Sequence, residues 1–206
     1  MPNGGFPWAR EKLAAHLSGE QGVSLDAGHV LLSCGAAGGF NAFLRAILNP
    51  GEEVLTFAPY FVEYGFYVAN HGGVFRTVMS HPDTFEPDLE ALEKNIGAAT
   101  RVVLYNSPHN PTGVIYSRDT VARLAALLER KSREFGKPIW LVADEPYRFL
   151  AYDGAEVPSV LGAYPYGVAV SSFSKSMSLP GERIGYVVIS PLLAKAEQEE
   201  LMAALT

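Results

Sequence analysis

Apolar positions along this chain fall into short β-branched runs, separated by stretches in which apolar residues recur every three or four positions. The runs predict strands over 30–34, 53–57, 73–79, 101–106, 139–143, 167–171 and 184–189. Helices are predicted between and after them. Phe40, Phe43, Leu44 and Ile47 trace one stripe over 38–48, which Pro50-Gly51 ends. Aromatics on several faces mark 60–70, and Asp88 and Glu90 suit the start of a short helix over 87–96. The clearest helix is 119–135, with Val121, Leu124, Leu127 and Leu128 on one side and Lys131 and Arg133 towards its end. A closing helix is predicted over 192–205.

Strands that are apolar on both faces and alternate with helices point to an α/β fold, a mostly parallel sheet flanked by helices on both faces with right-handed crossovers. In such sheets ligands bind beyond the carboxyl ends of the strands. No repeat, linker or low-complexity stretch interrupts residues 1–206, which read as one domain.

Composition narrows the function classes. The chain has 206 residues, 48% hydrophobic and 18% charged, an ordinary globular balance that suits one sizeable core. A net charge of -6 leaves no basic face for nucleic acid. The start carries no signal-peptide pattern, and no apolar run reaches the ~20 residues of a membrane span. The single cysteine, Cys34, excludes an internal disulfide and is expected to be a buried thiol in a reducing, cytoplasmic setting. Five histidines, at 16, 29, 71, 81 and 109, lack metal-ligand spacing, so no metal is expected.

The chemistry-bearing residues lie in three segments: Tyr105-Asn106-Ser107-Pro108-His109-Asn110-Pro111-Thr112-Gly113, Ala143-Asp144-Glu145-Pro146-Tyr147, and the run from Ser172 through Lys175 to Arg183 and Tyr186. Each follows or closes a predicted strand. Lys175, flanked by hydroxyls and followed by Arg183, is a candidate Schiff-base former with groups able to hold a phosphate. Taken alone it reads more readily as a solvated surface lysine. Asp144 ends an apolar strand, where an unpaired carboxylate is costly, so it needs a partner. Glu145 should point the other way on an extended backbone. Gly35-Ala36-Ala37-Gly38-Gly39, between strand and helix, is either a tight turn or an anion cradle.

Together, Asn110-Pro111-Thr112-Gly113, Asp144 with Tyr147, and Ser172-Phe173-Ser174-Lys175 with Arg183 resemble the large domain of the pyridoxal-phosphate (PLP) aminotransferases of class I/II, fold type I, across Met1 to Thr206. The resemblance implies PLP as cofactor. It implies Lys175 as covalent anchor and acid–base group, Asp144 against the protonated pyridine nitrogen, and Asn110 and Tyr147 as donors to the phenolic oxygen. It implies Phe61 against the ring face, with Tyr60 the second choice. Ala36, Ala37, Gly38, Ser172 and Arg183 would lie around the phosphate, with Ser174 a secondary candidate. The implied reaction is transamination between an amino acid and a 2-oxo acid, with a homodimer expected. Leu179-Pro180-Gly181-Glu182-Arg183-Ile184-Gly185 and the glycine-rich segment resemble bacterial aspartate-aminotransferase-like enzymes. A leading arm and a C-terminal small domain of that family have no match in this sequence, nor does the arginine that grips the substrate α-carboxylate. A PLP-dependent C–S β-lyase shares the cofactor residues. A non-catalytic PLP-binding module of a regulator, or a plain α/β interaction domain, are the non-enzymatic alternatives.

Overall fold

The computed structural model describes residues 2–206. Seven strands form one sheet: β1 (Val30–Cys34), β2 (Glu53–Ala58), β3 (Val74–Met79), β4 (Thr100–Asn106), β5 (Trp140–Asp144), β6 (Gly167–Ser172) and β7 (Ile184–Ile189). Their spatial order is β1-β7-β6-β5-β4-β2-β3. The pairs among β3, β2, β4, β5 and β6 are parallel, whereas β7 runs antiparallel to both β6 and β1. Only residues 173–183 separate β6 from β7, too few for a covered crossover, so the chain turns back at the same sheet end.

Helices α1 (Pro7–Gln21), α4 (Leu89–Asn95) and α5 (Arg118–Phe135) cover one face; α2 (Gly35–Ile47), α3 (Glu63–Ala69) and α7 (Lys195–Leu205) cover the other. Two apolar cores result, and the alternation of side chains along each strand divides the sheet between them. Val103, Tyr105, Leu141, Ala143 and Ala169 join Leu13, Leu17, Leu124 and Leu128. Val102, Leu104, Trp140, Val142, Val168 and Val170 join Phe40, Phe43, Leu44, Tyr64 and Val68. No helix among the described residues is long and apolar enough to cross a membrane.

The predicted strands all form, with ends shifted by a residue or so. Several helical details differ, among them α7, which begins at Lys195 and not at 192. α2 begins at Gly35, not at 38, so the glycine-rich segment is its first turn. α3 begins at Glu63, leaving Tyr60 to Val62 in the loop after β2. α1 was not predicted: its buried stripe is thin (Leu13, Ala14, Leu17 and Gln21), although Pro7 in the first turn and Gly22 at φ +64° bracket it. Cys34 is exposed rather than buried, because it ends the edge strand β1 along which burial falls.

Close backbone contact between β7 and the start of α2 sets the geometry of the sheet end. A Cβ on Gly185 would lie 2.3 Å from the carbonyl carbon of Gly35 and 2.6 Å from the nitrogen of Ala36. Backbone cannot swing aside as a flexible side chain can. Gly185→Ala is therefore expected to destabilise the fold by ~1–3 kcal/mol, read from the denaturant midpoint. An unchanged midpoint would show that β7 and α2 separate without cost.

Candidate functional site

At the carboxyl edge of the sheet, the alternation that divides the two cores also selects side chains. Val102 and Leu104 lead to Asn106, Trp140 and Val142 lead to Asp144, and Val168 and Val170 lead to Ser172, so these three polar residues all emerge on the α2–α3 face. β7 starts at this edge, and β1 ends there beside it, with Cys34 opposite Ile184. The last turn of β1 into α2 therefore delivers Ala36 and Ala37 to the same place.

These elements enclose a cavity of about 280 Å³. Nine of the ten residues expected from sequence line it: Ala36, Ala37, Phe61, Asn110, Asp144, Tyr147, Ser172, Lys175 and Arg183. Gly38 does not, since with α2 capped at Cys34 its N–H is the first with an acceptor inside the helix. A larger cavity of about 830 Å³ lies between the end of α1 and the segment after β5. Its arginines are already engaged: Arg148 with Glu145 and the carbonyls of Glu20 and Val157, Arg118 with Glu156.

One end of the smaller cavity is built for an anion. Cys34 offers no side-chain cap to α2, which leaves the N–H groups of Ala36 and Ala37 without acceptors beside the positive end of the helix dipole. Arg183 adopts φ 53° after a short 3₁₀ turn (Pro180–Glu182); its carbonyl accepts the N–H of Gly35 at 2.9 Å. Its guanidinium runs beneath Gly35, where a Cβ would stand 2.7 Å from Nη2, and it donates to the carbonyl of Pro180 at 2.9 Å. Neither Arg183 nor Lys175 forms an ion pair among the described residues. Lys175 stands in the short helix α6 (Phe173–Ser176) directly after β6.

The other end is a buried carboxylate. Asp144 is 7% exposed, and its Oδ2 accepts a hydrogen bond of 2.5 Å from the hydroxyl of Tyr64 on α3. Burial pushes its pKa up to about 7, against the Tyr64 hydrogen bond, which lowers it, while neighbouring Glu145 adds to the rise. Among the described residues no arginine pairs with it. Glu145 points the opposite way, as the extended backbone demands, to Gln21 at 2.6 Å and Arg148 at 3.1 Å.

Asn110 is held by a network that sequence reasoning missed. Asn106 donates from Nδ2 to the backbone carbonyl of Asp144 at 2.8 Å and accepts the N–H of Asn110 on Oδ1 at 2.6 Å. His109 donates from Nε2 to the carbonyl of Pro59 at 2.9 Å, and its Nδ1 accepts from the hydroxyl of Thr112. Burial lowers the pKa of His109 and keeps the ring neutral, which that bonding pattern requires. This ring ties the Asn110 loop to the loop that carries Phe61. Glu63 and Tyr67 also line the cavity, the tyrosine donating to the glutamate; their i, i+4 spacing on α3 was the available signal.

Comparison with known proteins identifies the family. The family model for aminotransferase class I and II matches residues 1–205. A probable aspartate/prephenate aminotransferase of Thermus aquaticus is 32% identical over 95% of this chain and 50% of its own length. An aspartate aminotransferase of Thermotoga maritima is 34% identical over 91% of this chain and 49% of its own. Among solved structures, an amino transferase from Eubacterium rectale superposes with a TM-score of 0.94 at 40% identity, covering 98% of this chain and 51% of that one. The chain thus spans about half the length of the curated relatives it matches. With the family model matched over residues 1–205, the chain belongs to the class I and II aminotransferase family.

Proposed function

We propose that this chain binds pyridoxal 5′-phosphate and forms the cofactor-bearing large domain of an enzyme that transfers an amino group between an amino acid and a 2-oxo acid. The observation that carries the reading is that Asn110, Asp144, and Lys175 with Arg183, from three separate segments, line one cavity. The donor set fits this cofactor: uncapped amides and a guanidinium for a phosphate, an amine for an aldehyde, and a buried carboxylate for a basic ring nitrogen.

When bound, the cofactor supplies an electron sink for the substrate's α-carbon. The rest is done by this chain. Arg183, Ser172 and the amides of Ala36 and Ala37 would hold the phosphate, and Phe61 would supply an aromatic face to the ring, a contact worth roughly 0.5–1.5 kcal/mol beyond burial. Asn110 and Tyr147 would donate to the phenolic oxygen. Asp144, half protonated near neutrality while alone, would be held as a full carboxylate by a cationic nitrogen. Lys175 Nζ, the one lysine amine lining the cavity, would be the covalent anchor and then the group that moves a proton between the substrate α-carbon and the cofactor's former aldehyde carbon. Substrates of the aspartate type are favoured by the names of the relatives.

The test is titration with PLP followed by borohydride reduction and peptide mapping. One adduct is expected, on the peptide holding Lys175. Label spread evenly over all six lysines of the chain would sink the reading. Arg183→Ala is expected to weaken PLP binding by ~10–100-fold, the worth of one charge-assisted hydrogen bond, without moving the adduct elsewhere; undiminished affinity would remove Arg183 from the phosphate end.

A further inference from the structure

We infer that Tyr64 is a positioning residue for Asp144: its hydroxyl fixes one carboxylate oxygen from below, which leaves the other turned to the cavity to meet the ligand. The inference concerns this chain's own residues but draws its purpose from the PLP reading above.

The geometry leaves Tyr64 little else to do. The residue is 1% exposed and packed among Phe40, Phe43, Leu44, Val68, Val102, Leu104 and Val142 on the α2–α3 face. Its ring meets Phe40 and Phe61, each with centroids 5.6 Å away. In that apolar setting the hydroxyl's one side-chain partner is Asp144 Oδ2 at 2.5 Å. Oδ1 has no protein partner, yet it is not among the buried polar atoms left unsatisfied, so it faces open space. Asp144 lines the cavity, and that open space is the cavity. The carboxylate is thus pinned on one oxygen and presented on the other.

The entry to α3 does two jobs. Phe61, in the loop just before the helix, lines the cavity, and Tyr64 three residues later reaches Asp144, with the two rings in contact at 5.6 Å between centroids. The neighbours acting on Asp144 and Tyr64 are Tyr67 on α3, Tyr147 after β5 and Glu145 beside Asp144; Lys175 and Arg183 line the same cavity, and Asn106 holds only the Asp144 backbone. Among the described residues it is Tyr64 that hydrogen-bonds the carboxylate. Its O–H stabilises the charged form, and burial opposes it.

The test uses the cofactor-free chain, so its outcome is separable from that of the PLP reading. Asp side-chain carboxyl carbons are labelled and titrated by NMR, and the Asp144 signal is assigned by its loss in Asp144→Asn. Tyr64→Phe, which removes the hydroxyl and keeps the ring, is expected to move the Asp144 midpoint upward by ~1–2 pH units, the worth of a hydrogen bond to a charged group. In the unaltered chain the Cζ signal of Tyr64 is expected to titrate with the Asp144 midpoint, a reading that stands even where the variant fails to fold. PLP affinity of Tyr64→Phe should fall several-fold while affinity for inorganic phosphate stays level. An Asp144 midpoint that does not rise in Tyr64→Phe, or a Tyr64 signal blind to it, overturns the inference; a filler tyrosine would lose stability and move neither. A shifted midpoint together with label on lysines other than Lys175 would uphold the positioning role and refute the cofactor reading.

Discussion

Lys175→Ala is expected to abolish the reduced PLP adduct while leaving the anion end of the cavity working. The two halves of that outcome have different causes. Any lysine amine can attack an aldehyde in solution, so specificity must come from holding the aldehyde against one amine. Docking a phosphate on Arg183 and the α2 amides raises the effective concentration of the attached carbonyl at Lys175, and well-oriented groups gain a factor of ~10⁵ M or more over free encounter in favourable cases. The other lysines have no such advantage. Lys131, Lys137 and Lys195 are paired with Glu134, Glu52 and Glu199, and Lys12 lies over the ring of Trp8. Removing Lys175 should therefore reduce label by at least ~10-fold, to the background of surface amines, with PLP bound only noncovalently. Inorganic phosphate should bind Lys175→Ala about as well as the unaltered chain, since Arg183 and α2 remain. Retention of the adduct after the substitution would mean that another amine is the anchor. Loss of phosphate binding along with the adduct would mean that the alanine had disturbed the sheet edge itself.

Most of the sheet was legible because its strands are apolar on both faces, and such runs have few other homes in a chain of this size. The antiparallel course of β7 was not. Ile184 to Ile189 carries the same pattern as a parallel strand; only the short connection 173–183 betrays the reversal. α1 escaped because its contact with the core is a narrow stripe, and such a stripe gives weak periodicity. The start of α2 was misplaced for a related reason: glycine and alanine read as a turn, yet small residues are what the close approach of Gly185 and Arg183 demands of a helix in that position.

Within the site, the legible residues were those whose chemistry is rare where they stand: a carboxylate closing an apolar strand, an arginine opening one, a lysine between serines. Asn106 and Tyr64 were hidden because each acts through another residue. Asn106 could have been found by counting in twos along β4, as Asp144 and Ser172 could along β5 and β6. Tyr64 could not, because its partner lies eighty residues away in sequence, on an element whose packing angle no local pattern encodes. Chain-wide alternation thus predicts which residues reach the sheet edge, and tertiary packing decides which of them are held there.

Asp144→Asn is expected to strengthen the empty fold and weaken the loaded one. In the cofactor-free chain the carboxyl has its pKa raised by burial from the ordinary carboxylate range to about 7. An acid with a folded pKa above its unfolded one binds more protons when folded. Its contribution to stability is complete below the ordinary value and is lost as pH climbs through about 7. At about 1.4 kcal/mol for each pH unit, that loss is at most about 4 kcal/mol. Asparagine has nearly the same shape, can accept the Tyr64 hydrogen bond through its carbonyl oxygen, and does not titrate. The variant should match the unaltered chain in stability near pH 4 and exceed it by up to about 4 kcal/mol at pH 8, read from denaturant unfolding at both pH values. Ligand affinity should move the other way. A neutral amide facing a cationic ring nitrogen forgoes a charge-assisted hydrogen bond, a loss of ~10–100-fold in PLP affinity. A variant less stable than the parent at pH 8, or one that binds PLP undiminished, would show that the carboxylate is not held dry against its own interest. The two effects share one origin: a carboxylate that bulk water would solvate is buried against Tyr64 and α3, and a cation in the cavity offsets that cost. Stability given back by removing the charge and affinity lost by removing it are therefore expected in the same variant, and either one without the other would break the link between burial of Asp144 and capture of the cofactor.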